Sequence, residues 1–481
     1  MFNLLEGIPM RIRNWKVAAA LACGVTAACA GKSALAPTGS GAEGAIAMTG
    51  PLVPQPQKRS HEEYPFVGTM KVNRYILDNG LRLLVEENHT SPTFAYQTWY
   101  RVGSKNEVKG LTGLAHLFEH MMFKGTKNHP EGDFDRILES NGAEGENAFT
   151  DRDYTAFVQE LPKGKLDLIA SLESDRMVNL IVDDQSFKTE REVVQNERRY
   201  RTENSPSGVM DQELFGLAFV NSPYRWPVIG YPEDLERMTA ADARNFYQTW
   251  YAPNHATVVV TGDVDSEETY KTVEKYYGGL NGHAAPAPER PQDATQDAPR
   301  RKQLALNIQG EKLLMGYHEP GAASEDSPAL DLFETVLTGG NSSRLHRALV
   351  ESGIASEVSS ESEEDQDPTL YLISAGLQKG KKAAQAESVV LNELARLRDE
   401  PVSDAELERA KNRSEFEFYD SLSSNMHVAE FLGNFESVAG DFRAGLAQHE
   451  RVRVLTAADL QSVAKKYFQP SNRTVITGVM K

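Results

Sequence analysis

Apolar and polar positions alternate with a strand period in RYILDNGLRLLVEE, Arg74 to Glu87, on either side of Asn79-Gly80. Successive strand side chains point to opposite faces, so this pattern predicts a β-hairpin with a type I′ turn at Asn-Gly. Further along, MTAADARNFYQTWYAPNHATVVVTG, from Met238, reads as a helix, a proline break and a buried strand. A second copy, LTAADLQSVAKKYFQPSNRTVITG, begins at Leu455, with Thr456 − Thr239 and Pro470 − Pro253 both giving 217. AHLFEHMMFKG (Ala115 to Gly125) faces LDLFETVLTGG (Leu330 to Gly340) at nearly the same offset. The chain is therefore an internal duplication. Between the copies, NGHAAPAPERPQDATQDAPRR loses hydrophobic periodicity and reads as a linker.

These patterns divide the chain into residues 64–280, a linker at 281–301 and a second homologous domain at 302–481. The expected class is α+β: two domains, each a mainly antiparallel sheet packed with helices. Before them, Arg11, Arg13 and Lys16 precede the apolar run VAAALACGVTAACA, too short to span a bilayer. Residues 1–29 read as an export signal and residues 30–63, rich in Gly, Ala, Ser and Pro, as a flexible tether. The segment TAAC resembles a bacterial lipoprotein box with Cys29 as the lipidated residue, although Thr26 stands where leucine is usual. Ordinary cleavage after Ala30 is the other outcome. Either places the chain in the cell envelope, periplasmic or anchored to the outer membrane.

A net charge of -18 argues against a nucleic-acid or anionic membrane surface as partner. The two cysteines, Cys23 and Cys29, both lie near the N-terminus, so a metal site elsewhere must use His, Asp or Glu.

Such a set occurs in HLFEHMMFKGT, His116 to Thr126. Helix positions four apart share a face, so His116 and His120 can offer imidazole nitrogens to one ion, and zinc suits them. Glu119 sits at the edge of that face, placed to act as general base towards an activated water. H-x-x-E-H is the reversed form of H-E-x-x-H. In the second copy the matching residues are Asp331 and Thr335, so only the first copy can hold the metal. Burying two histidines and a glutamate in a merely structural helix would be costly. FKTEREVVQNERRYR, Phe187 to Arg201, predicts a helix with Glu190, Val194 and Glu197 on one face. Spacing leaves Glu190 and Glu197 both open as the third ligand; Arg191, Glu192, Arg198 and Arg199 read as its solvated side.

HLFEH followed by MMFKGT resembles the pitrilysin/insulinase family of zinc peptidases, above all the branch of mitochondrial processing peptidase and its bacterial relatives. The resemblance extends over residues 65–481. It implies one Zn2+ per chain and a third ligand about 77 positions past the second histidine; 197 − 120 = 77 points to Glu197, with Glu190 supporting the site from outside. GENAFTDRDYTAF is similar to the family's N-A-x-T edge strand, which makes Asn147 and Ala148 substrate-side residues. Self-sufficient members carry an arginine and a tyrosine in the second half; here Val350 and Ser356 stand in those places. Arg344 lies upstream and does not replace that arginine. The resemblance thus implies a zinc-bearing subunit paired with a homologous partner, in a heterodimer or homodimer, each chain half of a clamshell around peptide substrates. The alternative is a non-catalytic assembly subunit of the same fold. No G-x-S-x-G elbow is present for a serine hydrolase. His255, His318, His427 and His449 read as isolated surface or core residues, and ESEEDQDP, from Glu361, as a solvated loop.

Overall fold

A computed structural model describes residues 59–283 and 293–481. The export signal, Cys29 and residues 30–58 of the tether lie outside the described residues. Among the described residues, no helix is long and apolar enough to cross a membrane.

The first half forms β1 (Ser60–Pro65), β2 (Lys71–Ile76), β3 (Arg82–Glu87), β4 (Thr93–Tyr100), β5 (Glu144–Thr150), β6 (Thr155–Pro162) and β7 (Ala256–Gly262). They make one sheet in the order β1-β2-β3-β7-β4-β6-β5. The second half contributes β8 (Arg300–Leu306), β9 (Lys312–Glu319), β10 (Ala355–Ser362), β11 (Thr369–Leu377) and β12 (Arg473–Met480), ordered β10-β11-β9-β12-β8. The second order repeats β5-β6-β4-β7-β3, and each sheet has one parallel pairing, β3 with β7 and β8 with β12. The duplication seen in sequence is thus a duplication of topology, with β1 and β2 added to the first copy.

The β2–β3 hairpin forms where expected, but its turn differs. Leu77 N donates to Leu81 O at 2.9 Å, Gly80 N donates to Leu77 O at 2.9 Å, and Gly80 has φ 86. This is a three-residue loop closed by a left-handed glycine, not a two-residue I′ turn. Residues of the linker are also less loose than their composition suggests. Asp293 accepts the backbone amides of Val220 and Asn221, and Gln296 donates to the carbonyls of Ser471 and Arg473.

Strand alternation explains how the halves join. Along TFAYQTWY of β4, Phe94, Tyr96 and Tyr100 enter the core of the first half, while Gln97 and Trp99 face the other way. That other face is covered by the Asn425–Val438 helix of the second half. Thr261 Oγ1 donates to Asn425 O, and Asn425 Nδ2 donates to Thr93 O. A Cβ on Gly433 would lie 2.2 Å from Trp99 Nε1, so only glycine lets helix and sheet approach this closely. Glu436, 0% exposed, receives Arg74 at 3.0 Å and Arg82 at 2.7 Å. Stranding such a carboxylate by removing its arginines would cost about 3–5 kcal/mol.

The reverse contact is made by the Pro206–Ala218 helix of the first half, which occupies the matching place in the duplication. Its Met210, Leu214 and Phe215 pack with Leu314, Leu370 and Ile476 of the second sheet. Each half lends one helix to the other.

Candidate metal centre

The Leu114–Met121 helix opens at Gly113, whose φ of 96 needs no Cβ, and its first amides are held by one side chain. Glu107, buried, accepts Gly113 N at 2.9 Å and Ala115 N at 2.8 Å, placing a carboxyl at the positive end of the helix. Leu114, Leu117, Phe118 and Met121 face the core. Phe118 stacks on Tyr247, at 5.6 Å between centroids and 1° between planes, and lies 5.2 Å from Tyr251. Tyr247 comes from the first repeat helix, Ala240–Trp250, and Tyr251 follows it, so the repeated element is the bed on which the histidine helix rests.

The opposite face carries His116, Glu119 and His120. The Asp184–Arg198 helix crosses it, started by Asp183, which accepts Gln185 N and Ser186 N. His116 Nε2 lies 3.7 Å from Glu197 Oε1 and His120 Nε2 lies 3.1 Å from Glu197 Oε2. One ligand atom from each residue falls within 4.8 Å of the others. Among the described residues, this is the one cluster of at least three His, Cys, Asp or Glu side chains so arranged. Two imidazole nitrogens and a carboxylate fit a zinc ion with a fourth position left open.

Glu190 stands behind this set. Its Oε2 is 3.5 Å from His120 Nδ1 and its Oε1 is 2.8 Å from Lys124 Nζ. Of the two glutamates that spacing left open, Glu197 faces both histidines and Glu190 grips the far nitrogen of one.

Burial lowers the pKa of His116, which keeps it neutral and available as a ligand. Burial also opposes a charge on His120, but hydrogen bonds to Glu190 and Glu197 outweigh it and raise its pKa to about 9. Burial acts to raise the Glu197 carboxyl, yet the hydrogen bond from His120 and the charges of His116, His120 and Arg201 hold it at about 2. Arg201 Nη1 reaches Glu197 Oε1 at 2.7 Å.

Glu119 Oε2 accepts a hydrogen bond from Thr150 Oγ1 at 2.7 Å. Thr150 is the last residue of β5, the outer strand of the first sheet. Earlier in that strand, Asn147 is exposed and its Oδ1 accepts Ala148 N at 2.9 Å, so the side chain covers an amide on an open edge.

Several site neighbours were missed in the sequence. Lys124, Thr150 and Arg201 all lie inside stretches singled out there, but no spacing rule connects them to the histidines. Arg198 is not solvated: it is buried, with Nη1 donating to Gly230 O at 2.7 Å and Nη2 to Gln212 Oε1 at 2.6 Å. ESEEDQDP is not a solvated loop either, since Glu363 and Asp365 are buried against Arg152 of the first half and Ser362 is buried against Glu319 and Glu334 of its own half. Val350 packs partly buried in the second core, and Ser356 is an exposed strand residue whose Oγ donates to Gly376 O. His255 and His449 are buried, His449 stacked on Phe418 at 3.8 Å, and neither joins the metal set.

Residues 82–230 match the model for "Insulinase (Peptidase family M16)" and residues 237–414 match that for "Peptidase M16 inactive domain". The zinc protease PqqE of Helicobacter pylori is 32% identical over 409 residues, covering 83% of this chain and 91% of that one. The chain belongs to peptidase family M16. An uncharacterized zinc protease of Bacillus subtilis, YmxG, is 25% identical over 394 residues, 82% of this chain and 94% of its own length. In three dimensions, this M16 chain matches the crystal structure of a protease from Helicobacter pylori with a TM-score of 0.81 and 30% identity. That match covers 88% of this chain and all of the other. The two-domain α+β fold is the M16 fold, and the family matches ending at 230 and resuming at 237 bracket the short Pro232–Arg237 helix before the first repeat helix.

Proposed function

We propose that this chain is a zinc metalloendopeptidase with one Zn2+, held by His116, His120 and Glu197. The observation that carries the reading is the convergence of those three side chains beside Glu119, whose Oε2 is fixed by Thr150. Zinc, when bound, supplies Lewis-acid polarisation of a carbonyl and lowers the pKa of water. Glu119 takes the proton from the attacking water and returns it to the leaving amine, through the oxygen that Thr150 does not engage. Glu190 holds His120 through Nδ1, which leaves Nε2 as the ligand atom and fixes the ring's orientation. Lys124 balances the charge of Glu190.

The substrate is a peptide or unfolded segment that adds to the open edge of β5, where backbone pairing binds it with little regard for sequence. Asn147 and Ala148 are the receiving residues, the Asn147 amide moving off Ala148 N as the peptide arrives. A homologous partner subunit supplies the Arg/Tyr pair that Val350 and Ser356 replace here, and closes the chamber that limits substrate size. Residues 1–29 direct export to the bacterial cell envelope, with Cys29 as the lipid attachment point. The two homologous domains are residues 64–280 and 302–481, with their first strands β1 and β8 starting slightly earlier, at Ser60 and Arg300, inside the stretches read as tether and linker.

The test is metal content and cleavage of a quenched-fluorescent peptide library by residues 61–481, wild type and Glu119→Gln, with and without the partner. Zinc in both proteins and cleavage by wild type with partner alone is the expected result. Metal-free wild type, or cleavage that survives Glu119→Gln, overturns the reading.

A further inference from the structure

Thr150 ends β5, and the turn that follows, Asp151-Arg152-Asp153, is gripped by the other half. Arg152, 4% exposed, reaches Glu363 Oε2 at 3.1 Å and Asp365 Oδ2 at 3.3 Å through one nitrogen, and its guanidinium lies 4.0 Å from the Phe215 ring. Asp153, also buried, accepts Gln366 N at 2.7 Å and the Tyr224 hydroxyl at 2.8 Å; that hydroxyl in turn accepts Asp367 N at 3.0 Å. On the near side, Ser104 N and Lys105 N donate to the carbonyls of Asp151 and Arg152.

The acidic segment is itself anchored to the second copy of the histidine helix. Glu334, in the place of Glu119, accepts Ser362 N at 2.7 Å, while Glu319 accepts Glu363 N at 2.7 Å and Ser362 Oγ at 3.0 Å. One contact path therefore runs from Glu119 to Thr150, along the chain to Arg152, across to Glu363, and through Ser362 to Glu334.

We infer that the metal-free half fixes the catalytic base in place: Arg152 and Glu363 are positioning residues that act on Glu119 through Thr150. The inference rests on the reading of Glu119 as base. A hydroxyl at the end of a strand can hold a carboxylate to a few tenths of an ångström only if the strand end is fixed. β5 is an edge strand whose register is already broken between Glu144 and Asn147. Pairing with β6 on one side does not lock such a strand, and the charged turn supplies the missing constraint. A misplaced general base lowers turnover without altering metal affinity or substrate binding.

The test is a double-mutant cycle of Thr150→Val and Glu363→Gln in the assembly that cleaves peptide, with kcat, KM and zinc content measured. The expected result is a kcat loss of about tenfold for Thr150→Val and about fivefold for Glu363→Gln, with KM and zinc unchanged. The double variant should fall no further than about twofold below Thr150→Val, because both act on one contact. Losses that multiply, or a loss of zinc in Glu363→Gln, overturn the inference while leaving Glu119 as base. Cleavage that survives Glu119→Gln overturns both.

A readout independent of activity is hydrogen exchange. In Glu363→Gln, peptides spanning 144–155 should exchange about tenfold faster while those spanning 184–198 keep their rate. A uniform rise, or none, overturns the inference. Arg152→Lys, which keeps the charge, should give the same pattern in weaker form and serves if Glu363→Gln does not fold. Arg344→Met, which breaks the Arg344–Glu406 pair inside the second half, controls for general loss of a buried pair and should leave kcat unchanged.

Discussion

The helices Leu114–Met121 and Ser327–Thr338 occupy matching places in the duplicated fold, and both carry the letters L-F-E. Their glutamates even make matching ties to the end of an edge strand, Glu119 to Thr150 and Glu334 to Ser362. The difference lies in the residues on either side. Where the first copy has His116 and His120, the second has Asp331 and a buried Thr335, and its Glu334 binds a backbone amide rather than a hydroxyl. Both copies keep the glutamate tie; the proposed chemistry needs, in addition, two histidines and a partner helix bearing Glu197. A duplicated scaffold can therefore lose its metal without losing its shape.

The sharpest way to break this comparison is at the ligands. Glu197→Gln should reduce zinc retention on dialysis by at least about a hundredfold and abolish cleavage, with the fold judged intact by circular dichroism. Glu119→Gln should lower kcat by about a thousandfold with zinc content unchanged, which separates the base from the ligands. Glu190→Gln should weaken zinc affinity by about ten- to a hundredfold, read by competition with a chelating dye, because it loosens His120 and leaves the ligand atoms in place.

A smaller effect concerns protons. The raised His120 pKa, about 9 against an ordinary 6.5, stabilises the metal-free fold fully below about pH 6.5, and that contribution is lost as pH rises through 9. Glu197, lowered to about 2 from 4.5, contributes above about pH 4.5 and loses its share as pH falls through 2. Metal-free protein should therefore drop in Tm between pH 6.5 and 9, and zinc-loaded protein should drop less. Zinc binding at pH 7 should release about one proton, measured by calorimetry in buffers of different ionisation enthalpy. The smallest effect tests the second copy: Asp331→His with Thr335→His should leave zinc content at one per chain, since the Asp404–Asp420 helix packed against that site fully buries Ala410 and no carboxylate.

Much of this was legible in the sequence. The repeat at Thr239 and Thr456 forms capping boxes with Asp242 and Asp459 in both copies, so local helix signals and the duplication agree. The histidines stand four residues apart with Glu119 directly before the second, and all three could be placed without a structure. The choice between Glu190 and Glu197 could not, because both share a helix face and only the crossing of two helices decides. Charge misled in three places. Arg198, Glu363 and Asp365 are letters of a solvated surface, yet each is buried against a partner distant in sequence. The exchange of helices was hidden for a related reason: Asn425–Val438 is buried on nearly every side, so it shows no single apolar stripe to assign.

That exchange has a consequence for how the chain is made. All seven strands of the first sheet have been synthesised once Gly262 is added, but the helix that covers its Trp99 face begins 163 residues later (425 − 262). At ~5–20 residues per second, the first sheet waits roughly 10–30 s for its lid during synthesis. Through that interval Trp99 and the Arg74 and Arg82 side chains have no cover, and neither half can finish folding before the other is present. Closure of contacts so far apart in sequence is slow. The nascent chain is thus a client for holding chaperones up to its last sixty or so residues, and severing it between the sheets should leave two fragments that fold only when mixed.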